Sequence, residues 1–216
     1  LSSWVYSENN NRDVIVISKI TDVSPAELGD TSQPASHSYR LRLDREVPVW
    51  EINTNSPWSQ SSGSEISRGQ WELLTVTWDG QAQKIYRNGQ LDSVNEDATD
   101  GNIRHLPGAD LMIGRGWHPS SNFFDGNIDD IRIYNRALSG QEVSELYALE
   151  APPVFNLQIL QSSNGTVEGG GDFNLGTVVN VTAMPSPGYV LGGWTGGGSG
   201  IENPLAVTMT SDLTLG

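Results

Sequence analysis

The chain has 216 residues, enough for one large β-domain and a smaller one. Lys and Arg number 12 against 26 Asp and Glu, and the resulting formal net charge of -14 repels both nucleic-acid backbones and anionic lipid. Cysteine is absent, which excludes disulfides and thiolate metal sites, and no apolar run approaches the ~18 residues of a membrane span.

Strand signals run through the first two thirds of the chain. "LSSWVY" opens it. "DVIVISKI" is a β-branched run, apolar on both faces, as in a buried sandwich strand. "YRLRLD" alternates, with Leu41 and Leu43 inward and Arg40 and Arg42 outward. "QWELLTVTW", "AQKIYR" and "QLDSV" are separated by Asp79-Gly80 and Asn88-Gly89, the turn chemistry of tight hairpins, and predict a three-strand antiparallel meander. "DLMIGRG" adds a short strand, and "GNIDDIRI" a closing one.

One helix is predicted, immediately after the closing strand. Ser139 and Glu142 form an S-x-x-E capping box, Leu138 and Val143 a hydrophobic staple, and Val143, Leu146 and Tyr147 line one face. This helix is expected to seal an end of the sandwich.

All 12 Lys and Arg precede residue 151, and "APPVF" follows Glu150, so a boundary is placed between residues 1–150 and 151–216. In the second part "GTVVNVTA" places Val179 and Val181 on one face, "GYVLGGW" and "PLAVTM" read as further strands, and Trp194 is expected to anchor the core. Its glycine tracts, "EGGGD" and "TGGGSG", do not lead from strand to helix, so neither is a phosphate-binding loop. The fold class expected is all-β: an antiparallel β-sandwich jelly roll followed by a small all-β repeat domain. The chain starts at Leu1 without an initiator Met and reaches Gly216 in what reads as a strand, so it is read as a piece of a longer polypeptide.

"QWELLTVTWDG", "KIYRNGQL", "LMIGR" and above all "FDGNIDDIRIYNRALSGQEVSELY" resemble the laminin-G-like, concanavalin A-like jelly-roll family over Leu1 to Leu149. That pattern has one or more strands before the one matching "LSSWVY", which implies an N-terminal truncation of the sandwich. "NGTVEGGG", "GTVVNVTAMPSPGYVLGGWTG" and "NPLAVTMTSD" resemble the divergent InlB B-repeat of bacterial surface proteins, used as spacers or stalk units. Together the resemblances imply a secreted or cell-surface bacterial protein.

Adjacent acids in a strand face opposite ways, so one of Asp129 and Asp130 is expected to point toward the core. A buried carboxylate needs a partner: either Arg132 or a backbone amide, or, as the family resemblance implies, calcium held by Asp129, Asp130 and Asp125. The D-x-N-x-D spacing lacks the glycine and glutamate of an EF-hand. Trp58 and Trp117 lie in polar loops and suit stacking on sugar rings, with His118 and Asn122 beside the second; the alternative is that both anchor loops. Trp4, Trp71 and Trp78 are assigned to the core. His37, His105 and His118 lack ligand spacing and are expected to be ordinary surface or loop histidines.

Catalysis finds no motif. There is no G-x-S-x-G elbow and no H-E-x-x-H pair, and Glu51 lacks the acidic i+2 neighbour of a strand-borne glycosidase pair. The expectation is a non-catalytic carbohydrate-binding module, calcium-stabilised, with a polysaccharide or cell-surface glycan as partner and neither nucleic acid nor a membrane. The chain is expected to be monomeric. The alternative is a protein-binding, adhesion or spacer module without sugar specificity.

Overall fold

The computed structural model describes residues 1–8, 12–20, 37–54, 59–96, 101–115 and 123–216. They form two compact units, Leu1–Glu150 and Ala151–Gly216. Among the described residues no helix is long and apolar enough to cross a membrane.

The first unit is a sandwich of two antiparallel five-stranded sheets. Its strands are β1 (Ser2–Ser7), β2 (Asp13–Ile20), β3 (His37–Asp44), β4 (Val47–Ile52), β5 (Ser59–Ser62), β6 (Trp71–Trp78), β7 (Gln83–Arg87), β8 (Gln90–Asn95), β9 (Asp110–Ile113) and β10 (Gly126–Arg132). One sheet has the order β10-β1-β6-β7-β8, the other β5-β4-β3-β2-β9. Each strand sends alternate residues into the layer between them. Val5, Leu74, Val76 and Ile85 from one sheet meet Val14, Ile17, Leu41, Leu43 and Ile52 from the other in a single core.

Local chemistry fixes the hairpins. The β6–β8 meander forms as its turn signals predict: Asn88 and Gly89 both take positive φ, 49° and 78°, the requirement of a type I′ turn. A substituent at Gly89 would also strike the Cβ of Tyr147 at 2.9 Å, so glycine serves turn and helix packing together. The β3–β4 turn reaches the same geometry without glycine, at Arg45 (φ 51°) and Glu46 (φ 68°).

Helix α1 (Gly140–Glu150) begins at its predicted cap. Glu142 N donates to Ser139 Oγ at 3.2 Å, and Ser139 N donates to Glu142 Oε2 at 2.8 Å. The helix does not seal an end of the sandwich. Val143 and Leu138 cluster with Tyr86, Tyr147 rests on the Trp4 ring at 5.9 Å, and Trp4 Nε1 donates to Glu150. Trp4 and Tyr86 alternate with the core residues Val5 and Ile85, so α1 covers the outer face of the β1–β6–β7 sheet. That face carries large apolar side chains and needs the cover.

The second unit has strands β11 (Val154–Ile159), β12 (Gly165–Glu168), β13 (Gly171–Asn174), β14 (Val178–Pro185), β15 (Leu205–Thr208) and β16 (Leu213–Leu215). Two three-stranded sheets, β13-β11-β16 and β12-β14-β15, enclose Leu157, Val179, Val181, Trp194, Met209 and Leu215. Trp194 is the expected anchor, and its Nε1 donates to Glu202 O at 2.7 Å. "GYVLGGW" is not a strand: Tyr189 and Val190 are exposed and the segment carries no ladder. Its glycines at 188 and 193 take positive φ, which breaks a regular pleat.

Candidate functional site

The paired aspartates of β10 mark a backbone irregularity. Trp4 pairs with Asp129 but Ser2 pairs with Arg132, so β10 carries one extra residue, and Asp130 sits at φ 47°. This is a β-bulge with its left-handed residue supplied by Asp, a type that tolerates that region through local hydrogen bonding. Asp129 Oδ1 accepts the Asp130 N–H at 2.8 Å. The bulge resets the alternation, and both carboxylates are exposed rather than one being inward. Arg132 stays 3.8 Å from the Asp130 carboxylate, donates from Nη1 to the Asp130 backbone carbonyl at 3.1 Å, and pairs with Glu150 at 2.6 Å. Asp125 is exposed as well. Among the described residues no three His, Asp or Glu side chains converge as a metal site, so these residues do not by themselves fit a calcium ion.

Among the described residues the buried acids are Glu46, Glu51 and Glu72, and each has an arginine. Glu46 takes bonds from Ser7 Oγ and from Arg68 Nε, tying the β3–β4 turn to β1 of the opposite sheet. Glu72 pairs with Arg87 at 2.9 Å. Glu51 lies on the outer face of its sheet between Arg40, its cross-strand neighbour, and Arg42, whose Nε is 2.9 Å away. Burial pushes the Glu51 carboxyl up, but the hydrogen bonds and charges of the two arginines outweigh it and hold the group below the usual range. A glycosidase general acid needs the opposite shift, and position 53 is Asn, so this strand does not carry a glycosidase pair.

His37 is buried beside this cluster, not at the surface, with Nε2 3.5 Å from Glu51. Burial, followed by the charge of Arg40, lowers its pKa to about 4, so it is neutral at pH 7.

A concave feature of the unit lies at one end of the sandwich. A cleft of about 630 Å³ opens where β6 ends, between Trp78, Tyr39 and Trp50 on one side and Tyr134 and Asn135 on the other. Trp50 is 4% exposed, and its Nε1, itself buried, has no acceptor among the described residues. Its ring meets Tyr39 at 5.9 Å, tilted by 48°. Trp78 is held at the mouth by a bond from Nε1 to Gly101 O. Asn102, Asp79 and Arg136 complete the polar lining. Asp79 is tied into its turn by the amides of Ala82 and Gln81, and the first of these bonds leads in lowering its pKa.

The sugar-contact residues expected from sequence, Trp58, Trp117, His118 and Asn122, lie outside the described residues. The described strands flanking position 58 meet at Ile52 and Ser59, beside Tyr39 of the cleft. Sequence reasoning missed the cleft itself. Trp78 packs against the core as expected, but it is only partly buried at the end of β6 and lines the cleft as well.

The sequence model described as the concanavalin A-like lectin/glucanases superfamily matches residues 1–144. The chain belongs to that superfamily. The divergent InlB B-repeat domain model matches residues 155–216. No curated protein sequence matches the chain. Among solved structures it is similar to the CBM40 module of a Ruminococcus gnavus sialidase bound to α2,3-sialyllactose, at 16% identity over 68% of this chain and 81% of that one, with a TM-score of 0.52. It is also similar to domain 4 of an extracellular arabinanase from Geobacillus stearothermophilus in complex with arabinotriose, at 21% identity, TM-score 0.48 and 68% of this chain. The chain spans 64% of that domain's length. At these identities the likeness is one of fold.

Proposed function

We propose that the first unit is a non-catalytic carbohydrate-binding module and the second a spacer, within a secreted or surface-attached bacterial protein. The observation that carries this reading is the cleft: the rings of Trp78, Tyr39, Trp50 and Tyr134 converge on it. Rings offer the apolar face of a sugar a stacking surface, and Asn102 and Asn135 present both donors and acceptors to its hydroxyls. The volume lies within the range of small-ligand sites. The fold shared with the sialidase module, which was solved with a bound glycan, supports the same reading. Glu51, clamped by two arginines, supports binding without hydrolysis.

Trp58, Trp117, His118 and Asn122 belong to the proposal as further sugar contacts. The calcium stabilisation read from Asp125, Asp129 and Asp130 is not part of it, because those side chains do not gather. The test is a glycan array followed by titration calorimetry on the full chain. A glycan is expected to bind, and Trp78→Ala is expected to abolish the signal. Failure of every glycan to bind, with a protein ligand captured through the same cleft, would favour the adhesion reading instead.

A further inference from the structure

We propose that the cleft selects uncharged saccharides, and that Glu142 enforces this by occupying the cleft's Arg136. The inference rests on the cleft being a sugar site. Among its described lining residues the charged side chains are Asp79 and Arg136. Both Nη atoms of Arg136 are engaged, Nη1 with Glu142 Oε2 at 2.8 Å and Nη2 with Glu142 Oε1 at 2.6 Å. This is a two-pronged pairing, the geometry in which a guanidinium binds a carboxylate most strongly. A uronate or sialate entering the cleft would have to compete for that fork.

Glu142 is held from a second side. Its Oε2 also accepts the Ser139 N–H at 2.8 Å, as the reciprocal half of the cap on α1. Displacing it would open the first turn of the helix. With Arg136 compensated, the side-chain charge left at the cleft is that of Asp79, on a chain whose formal net charge is -14. A carboxylated sugar meets repulsion there and an uncharged one does not. One residue thus links the helix cap to ligand choice: the cap positions Glu142, and Glu142 occupies the Nη edge of an otherwise exposed guanidinium.

The experiment compares neutral oligosaccharides (gluco-, galacto- and arabino-series) with oligogalacturonate and sialyllactose, by calorimetry at low salt on the full chain. Wild type is expected to bind a neutral series and neither acidic one, with Trp78→Ala removing the binding. Glu142→Gln keeps a side-chain acceptor for the cap, since glutamine also serves at that position, and releases Arg136. It should gain affinity for the acidic sugars by about threefold or more, the scale of one exposed ion pair, lost again at high salt, with neutral binding unchanged. Ser139→Ala weakens the same cap but leaves the Arg136–Glu142 pair, so it should bind no more acidic sugar than wild type; a gain equal to that of Glu142→Gln would trace the effect to helix fraying and overturn the proposal. Trp78-dependent binding of acidic sugars by wild type would overturn it while leaving carbohydrate binding intact. No binding of any glycan would remove the carbohydrate reading and this inference together.

Discussion

Replacing Glu51 by alanine tests the electrostatic reasoning most directly. The side chain is 1% exposed and faces Arg40, Arg42 and the neutral His37. Alanine would leave two guanidiniums at 28% and 12% side-chain exposure without the acid between them. Removing one member of a buried charge cluster costs about 3–5 kcal/mol, chiefly because the remaining charges lose their compensation. Arg42 keeps Asp13 at 2.9 Å, which places the expected cost at the lower end. At about 2–4 °C per kcal/mol for a chain of this size, the first unit should melt roughly 10 °C lower. Urea unfolding followed by tryptophan fluorescence, with calorimetry to separate the two units, measures both quantities. Glu51→Gln keeps the shape and one acceptor and should fall between alanine and wild type. The wild-type carboxyl is held below its ordinary range, so its stabilisation is complete above the ordinary carboxylate pKa and is lost as pH falls through the lowered value. The alanine variant should lack that part of the acid limb. A cost below about 1 kcal/mol, the scale of an exposed pair, would show that the cluster is solvated and the reasoning mistaken.

Three further outcomes are expected. His37, neutral in the fold with a pKa of about 4 against 6.5 unfolded, contributes fully above pH 6.5, and its contribution falls by about 3 kcal/mol as pH drops toward 4; an NMR titration placing its pKa above 6 would refute this, and His37→Gln should flatten that part of the pH profile. Asp130→Gly should stabilise the chain by up to about 1 kcal/mol and Asp130→Val should destabilise it, because φ 47° penalises a Cβ; equal melting of the two variants would rule out the bulge geometry. Thermal melts with calcium and with a chelator should coincide, since an ion held by Asp125, Asp129 and Asp130 at ~100 times its dissociation constant would add about 2.7 kcal/mol; a shift of that size would restore the calcium reading.

Local rules made much of the fold readable. Alternation in "YRLRLD" placed Leu41 and Leu43 in the core, the Asn88-Gly89 turn fixed a hairpin, and the Ser139–Glu142 box fixed the start of α1. These features depend on residues a few positions apart. The same parity rule failed at Asp129 and Asp130 because a bulge inserts a residue that period-two counting cannot see. The premise that a buried acid finds a positive partner holds, but for Glu46, Glu51 and Glu72, whose burial is decided by strands distant in the chain. The cleft was illegible for the same reason: Tyr39, Trp78 and Tyr134 share it only because three strands end together. The helix was placed at the wrong surface because its apolar stripe shows that it must be covered, not by what.

The first and last strands of the second unit lie side by side and run the same way: β11 pairs with β16 from Leu157 opposite Leu213 to Ile159 opposite Leu215, and Leu160 N continues the ladder to Leu215 O. A chain pulled from both sides of this unit would drag these neighbours past each other along their length. The bonds between them would then carry tension simultaneously instead of opening one by one like a zip. A unit tied in this way resists stretching along the chain, which suits the spacer role proposed for it.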